Sequence, residues 1–226
     1  KHSSLLNLCV QNLVLLNIKY KPERQPVCQI DVMKLPIFPL PIFLLPQGIT
    51  RLRIFEQRYL TMVRNASKTN GFTIRYHSTG SKVSVPTWAS WVDIIDFDRS
   101  DDGLLSIDVQ CKSLVDIDDT QVQADNLLIG SVRDKSHWSE RENLSLHHSK
   151  IVVEHLQHFF DNNEQFNQLY KEKHYQNMNW VCSRWLELLP VTFDNKQHFI
   201  NENSHAKALT FVESILSMHE THDINE

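Results

Sequence analysis

Leu35-Pro36-Ile37-Phe38-Pro39-Leu40-Pro41-Ile42-Phe43-Leu44-Leu45-Pro46 constrains the fold more than any other part of the chain. The run is apolar from end to end, yet it carries four prolines. Proline inside a helix removes a backbone donor and clashes with the preceding turn, so the run is not helical. In a sheet the missing N–H groups argue against a fully paired central strand, and the expected form is an irregular strand at a sheet edge. The chain therefore needs later elements to cover an extended apolar segment.

Those elements are legible downstream. From Ile54 to Ala66, Phe55, Tyr59, Met62, Val63 and Ala66 recur at helical spacing, which predicts an amphipathic helix packed on a sheet. Strand patterns follow at Gly71 to His77, Val83 to Phe97, Leu105 to Ile117 and Gln121 to Val132, with Asp102-Gly103 as a hairpin signal. In the third strand Leu105, Ile107, Val109, Cys111, Val115 and Ile117 share one parity, while Ser106, Asp108, Gln110 and Lys112 hold the other. That pattern makes Cys111 a core residue. Past Trp138 the period becomes helical: an apolar stripe of Ile151, Val152, His155, Leu156, Phe159 and Phe160, a short helix at Phe166, Leu169 and Tyr170, and a third through Trp180, Val181, Trp185, Leu188 and Leu189, stopped by Pro190. A last helix starts near Ser204, read as its N-cap, and runs through Leu209, Val212, Ile215 and Leu216. The fold class is α+β, a β-rich half followed by a helical half.

Several function classes are excluded within these 226 residues. The glycines are Gly48, Gly71, Gly80, Gly103 and Gly130, and the nearest two are nine residues apart. A P-loop, a dinucleotide fingerprint and a nucleophile elbow all need closer pairs. Cys9, Cys28, Cys111 and Cys182 form no CxxC, which fits a reduced, cytoplasmic setting. His155 and His158 lie three apart with His147 and His148 nearby, but HExxH is absent and His155 falls on the apolar stripe, so no metal site is assigned. Asp98 to Gly103 lacks the alternating oxygen ligands of a calcium loop. No cofactor is expected. Leu5 to Ile18 is apolar but interrupted by Asn7, Gln11, Asn12 and Asn17 and too short for a membrane span. Residues 1–32 read as an N-terminal arm, or as a start placed upstream of a natural initiator at Met33.

Charge is unevenly placed. From Thr50 to Lys82 seven Lys/Arg face one acid, Glu56; from Asp93 to Asp125 ten Asp face Arg99 and Lys112. A dipolar surface is expected.

Pro36, Pro39, Pro46 and Gly48 within their apolar run, followed by Ile54-Phe55-Glu56-Gln57-Arg58-Tyr59 and Met62-Val63, resemble the opening signature of the Lon protease substrate-binding domain. Asp102-Gly103-Leu104-Leu105 is similar to that family's hairpin, and Trp185-Leu186-Glu187-Leu188-Leu189-Pro190 with Lys196-Gln197 resembles its C-terminal helices. Arg51 and Cys111-Lys112-Ser113-Leu114 depart from the family pattern. The resemblance covers Met33 to about Ser217. It implies a PUA-like β-barrel with one packed helix over 33–140 and a helical bundle over 141–226. It also implies a non-catalytic module that grips unfolded or apolar polypeptide segments, acting with a protease or chaperone. Phe38, Phe43, Arg51, Arg53, Phe55 and Tyr59 are the candidate contacts. Pro36, Pro39, Pro46, Gly48, Glu56, Arg58, Asp102 and Gly103 read as structural, with Glu56 accepting helix-start N–H groups and Arg58 pairing with an acid. A PUA-like RNA-binding protein using the basic Arg51–Lys82 region is the alternative; the net charge of −4 opposes nucleic acid.

Overall fold

The computed structural model describes residues 33–78, 84–99, 103–138 and 149–223. The arm at 1–32 with Cys9 and Cys28, together with Asp102, His147 and His148, lies outside the described residues. The β-rich part contains β1 (Met33–Leu40), β2 (Ile49–Ile54), α1 (Gln57–Ala66), β3 (Phe72–Tyr76), β4 (Trp88–Arg99), β5 (Leu105–Val122) and β6 (Leu128–Lys135). The helical part contains α2 (Ser149–Asn162), α3 (Glu164–Leu169), α4 (Met178–Leu188), α5 (Phe193–Gln197), a 3₁₀ turn (Glu202–Ser204) and α6 (His205–Asp223). The mixed, β-then-α order matches the sequence reading.

The strand order corrects one expectation. β1 is not at an edge: it pairs antiparallel with β6 over Met33–Ile37 and parallel with β3 over Ile37–Leu40. The two ladders share only Ile37, so the strand hands over from one partner to the other. Pro36 and Pro39 each sit in a stretch laddered on one side only, which is how an interior strand tolerates them. β5 pairs with β4 along one edge, and along the other with β2 and then β6. The ladders β5–β4–β3–β1–β6 return to β5, with β2 as an additional strand on its first half.

Register explains two more differences. A shift between Trp91 and Val92 places Lys112 as an extra residue of β5. Ile107, Val109 and Cys111 face the main core; past the bulge Leu114 takes that face, and Val115 and Ile117 turn to a small second cluster with Leu35, Ala89 and Val132. The single parity expected through Ile117 is therefore broken. β5 also runs on to Val122 instead of yielding to a new strand at Gln121. Asn126, at φ 64°, makes the turn, and β6 begins at Leu128.

α1 buries Tyr59, Met62, Val63 and Ala66 as expected, but Phe55 is 70% exposed. The backbone at Glu56 is still extended, so the helical phase does not reach Phe55. On α2, Val152, Leu156 and Phe160 are buried while Ile151 is exposed, narrowing the expected stripe. The Ser204 hydroxyl lies within hydrogen-bond distance of the Phe199 and Asn201 carbonyls, donates its one proton between them, and accepts from Trp138 Nε1. One hydrophobic core runs from Phe38, Phe72 and Ile107 through Phe160, Leu186 and Val212.

His137 leads out of β6 into this core. Its Nδ1 meets the Ile200 carbonyl at 2.8 Å, its ring stacks on Trp138, and Nε2 is buried without a partner. Burial holds its pKa down to about 4 from 6.5; the Ile200 carbonyl opposes this, and His205 and Lys135 add to it. The unfolded chain therefore takes a proton below pH 6.5 that the folded chain refuses until about pH 4. Stability is full above pH 6.5 and falls as pH drops through that window, by about 3 kcal/mol in all. Urea unfolding across pH 4–7 should show this loss, and His137→Asn should flatten it.

Candidate functional site

The prolines bring the chain from β1 into a segment, Pro41 to Gly48, that has no regular structure of its own and is held from the helical side. Arg184 and Glu187 of α4 do the holding. The Arg184 guanidinium meets both Glu187 carboxylate oxygens at 2.7 Å and donates to the Leu45 and Pro46 carbonyls at 3.3 and 3.2 Å. Glu187 Oε1 accepts the Leu45 N–H at 2.7 Å. Arg184 is buried to 1% exposure, and the Glu187 side chain keeps 10%. Burial works against the Arg184 charge, but Glu187 and Tyr170 outweigh it and hold the guanidinium ionised. Burial pushes the Glu187 carboxyl up, against the pull of Arg184.

Gly48 lies against this pair. A Cβ there would fall 2.4 Å from Glu187 Oε1 and 2.8 Å from Arg184 Nη2, so only glycine lets the turn approach. The apolar run, the Pro46-Gln47-Gly48 turn and the C-terminal Trp185 to Pro190 motif are thus one assembly, joined by a buried ion pair.

Beside that pair an open cleft of about 420 Å³ lies between the Pro41–Leu44 segment and the helices. Its walls include Ile42, Phe43, Phe166, Leu188 and Val191, with Arg184, Glu187 and Lys196 as its charged members. Lys196 is 7% exposed; its Nζ donates to the Glu187 backbone carbonyl at 3.1 Å, and burial lowers its pKa against the pull of Glu187. A second cleft, about 380 Å³, includes Arg51, Asp108, Gln168, Lys171 and Glu172. Tyr170 stands between the two clefts and lines both. Its hydroxyl accepts from the Ile49 N–H at 2.8 Å and faces the Ile49 carbonyl, so those backbone groups of β2 point away from β5.

The candidate contacts do not form one surface. Phe38 and Tyr59 are buried and stacked on each other at 4.0 Å, in the core and away from both clefts. Phe43 is buried between Trp88 and Phe193 but also lines the larger cleft. Arg51 and Arg53 face outward from β2, and Arg51 makes a two-pronged pair with Asp108 at 2.7 and 2.8 Å. Phe55 is exposed by itself, beyond the end of β2.

Of the residues read as structural, all but Asp102 are described, and one of them, Glu56, differs from its expected role. Pro36 accepts from Thr73 Oγ1 through its carbonyl, and Pro39 sits in the β1–β3 ladder. Glu56 occupies the N-cap position of α1 but makes no side-chain cap; it pairs instead with Arg58 at 2.8 Å. Arg58 in turn donates to the Asn126 carbonyl, tying the helix start to the β5–β6 turn. Gly103 has φ 81° just before β5, as the hairpin requires.

Charges of opposite sign meet across the strands in four pairs among the described residues. Arg51 pairs with Asp108, Lys112 with Asp93, Arg133 with Asp118 and Lys135 with Asp116. Arg51 brings the basic and acidic segments together across the β2–β5 ladder, and the other three pairs neutralise acids of the second segment locally. The basic stretch accordingly loses Arg51 and Arg58 to carboxylate partners.

Sequence reasoning missed Arg184, Lys196 and Tyr170 as members of the cleft. The available signal was Arg184 three residues before Glu187 in an otherwise apolar helix, where an isolated charge demands a buried partner.

Comparison with known proteins agrees with this fold. The family model described as the ATP-dependent protease La (LON) substrate-binding domain matches residues 34–218. Among curated proteins no relative matches. Among solved structures, the chain is similar to the crystal structure of a Lon N-terminal domain protein from Xanthomonas campestris, at 26% identity and TM-score 0.61, covering 81% of this chain and 98% of that one. It is also similar in fold to the N-terminal domain of the Mycobacterium avium complex Lon protease, at 12% identity and TM-score 0.59, covering 83% and 100%.

Proposed function

The chain belongs to the family of Lon substrate-binding domains, and from that premise we propose that it is a non-catalytic module binding exposed apolar or unfolded polypeptide segments. The observation that carries the reading is the open cleft whose walls are Ile42, Phe43, Phe166, Leu188 and Val191. Apolar walls with a few fixed polar groups suit side chains of an extended chain. Phe166 is 38% exposed, on the rim, where a partner would cover it. The closed circuit of ladders supports a PUA-like barrel as the scaffold, with 33–140 and a helical bundle over 141–226 acting together. Bound clients would pass to a protease or chaperone in a cytoplasmic setting.

Fluorescence anisotropy with a reduced, carboxymethylated and therefore unfolded polypeptide tests the reading. Binding at micromolar concentration is expected, with less than about a threefold loss between 50 and 500 mM salt, since apolar contacts release few counterions. Phe166→Ser with Leu188→Ser should weaken it about tenfold or more. No binding, or RNA binding that falls steeply with salt, would overturn the proposal.

A further inference from the structure

The charges in the larger cleft do not balance. Its charged members are two cations, Arg184 and Lys196, and one carboxylate, Glu187. All three are nearly out of solvent, at 1% for Arg184, 7% for Lys196 and 10% for the Glu187 side chain. Glu187 is already fully engaged by Arg184 Nε, Arg184 Nη2 and the Leu45 N–H. Arg184 Nη1 is buried with no hydrogen-bond partner, and Lys196 Nζ makes a single hydrogen bond, to a backbone carbonyl. A buried guanidinium nitrogen without an acceptor is costly, and so is a net positive charge in a poorly hydrated place. What is lacking is one negative charge with oxygen acceptors. The remaining walls are mainly apolar, with Thr50, Tyr76 and Tyr170 among them, so a group that carries this charge and also brings hydrocarbon fits the cleft.

We propose that this cleft takes the C-terminal residue of an apolar polypeptide, its α-carboxylate received by Arg184 Nη1 and Lys196 Nζ and its side chains by Ile42, Phe166, Leu188 and Val191. A planar carboxylate suits a guanidinium edge, and the terminal carboxylate is the one anionic group that every polypeptide carries whatever its sequence. An acidic side chain in mid-chain would have to bury flanking backbone groups as well, whereas a chain end enters alone. Glu187 then has a second role: it neutralises one cation and fixes the guanidinium through Nε and Nη2, so that Nη1 is the nitrogen left without an acceptor.

This inference rests on the polypeptide-binding reading, and the test separates the two. Two N-acetylated octapeptides rich in leucine and valine, identical except for a free carboxylate or a carboxamide at the C-terminus, are titrated against the unmodified chain by calorimetry. The acid is expected to bind about tenfold more tightly than the amide, the worth of a charge-assisted hydrogen bond in a desolvated site. Lys196→Gln should reduce that preference to about threefold or less. Equal affinity for acid and amide overturns the carboxylate site and leaves polypeptide binding standing. Binding of neither peptide overturns both. Tight binding of decanoate with no preference for the peptide acid overturns the polypeptide terminus in favour of a lipid carboxylate.

Discussion

Arg184→Ala is expected to destabilise the fold by about 3–5 kcal/mol, among the largest effects available to a single polar residue here. The substitution leaves the Glu187 carboxylate buried without its cation and strips the Leu45 and Pro46 carbonyls of their donor. Glu187→Leu should cost a similar amount, because it orphans the guanidinium and the Leu45 N–H together. The informative comparison is the double variant Arg184→Met with Glu187→Leu. For an isolated buried ion pair, apolar replacement is often neutral. Here it should remain about 2 kcal/mol below the parent, because Leu45 N–H and the Leu45 and Pro46 carbonyls lose their partners whichever apolar side chains fill the space. Chemical denaturation of the parent, Arg184→Met, Glu187→Leu and the double variant gives the cycle; single losses of about 3–5 kcal/mol each against about 2 kcal/mol for the double make the coupling energy between the two sites about 4 kcal/mol or more. A double variant as stable as the parent would mean that the pair does not hold the proline segment, and that the Pro41–Gly48 path is fixed by packing alone.

The same pair shows why the sequence was informative in some places and silent in others. Tyr59, Met62, Val63 and Ala66 were legible as a buried helix face because the information is local: their spacing is the period of the helix they form. The interior position of β1 was not, since neighbours in a sheet are chosen by segments far apart in sequence, and a strand that changes partner at Ile37 tolerates prolines without lying at an edge. The bulge at Lys112 moved Val115 and Ile117 to another face with no composition cue, because one extra residue alters parity without altering residue type. Charge segregation misled for the complementary reason: opposite charges separated along the chain are free to meet across a ladder, as Arg51 and Asp108 do. The cleft was the least legible feature. Its cationic members come from α4 and α5 and its apolar walls from the proline segment, Phe166 of α3, Leu188 of α4 and Val191, and of these only Arg184 stands out within its own element. The signature itself was easy to see, yet most of it builds the frame around the cleft: Gly48 and Pro46 pack on the ion pair, and Glu56 and Arg58 hold the start of α1.

Gly71→Ala should cost about 3–4 kcal/mol, the sum of left-handed backbone strain and forced displacement of a neighbouring strand. Gly71 has φ 74°, and a Cβ built on it would lie 2.0 Å from the Val92 carbonyl oxygen and 2.9 Å from Asp93 Oδ1. The first obstacle is backbone and cannot swing aside. Val92 is fully buried and opposes Phe72 in the β3–β4 ladder, and it adjoins the register shift that sets the faces of β5. Relief therefore requires the ladder to move, and with it the contact between Trp91 Nε1 and the Asn70 carbonyl. Gly103 is the control. It shares the positive φ, at 81°, but a Cβ there meets nothing within 4 Å. Gly103→Ala then carries backbone strain alone, about 1–2 kcal/mol. Thermal unfolding separates the two, with a drop of about 10 °C expected at Gly71 and about 4 °C at Gly103 for a domain of this size. Equal drops would assign both losses to the backbone angle and remove the steric contact at Val92 from the account of how β3 and β4 are aligned.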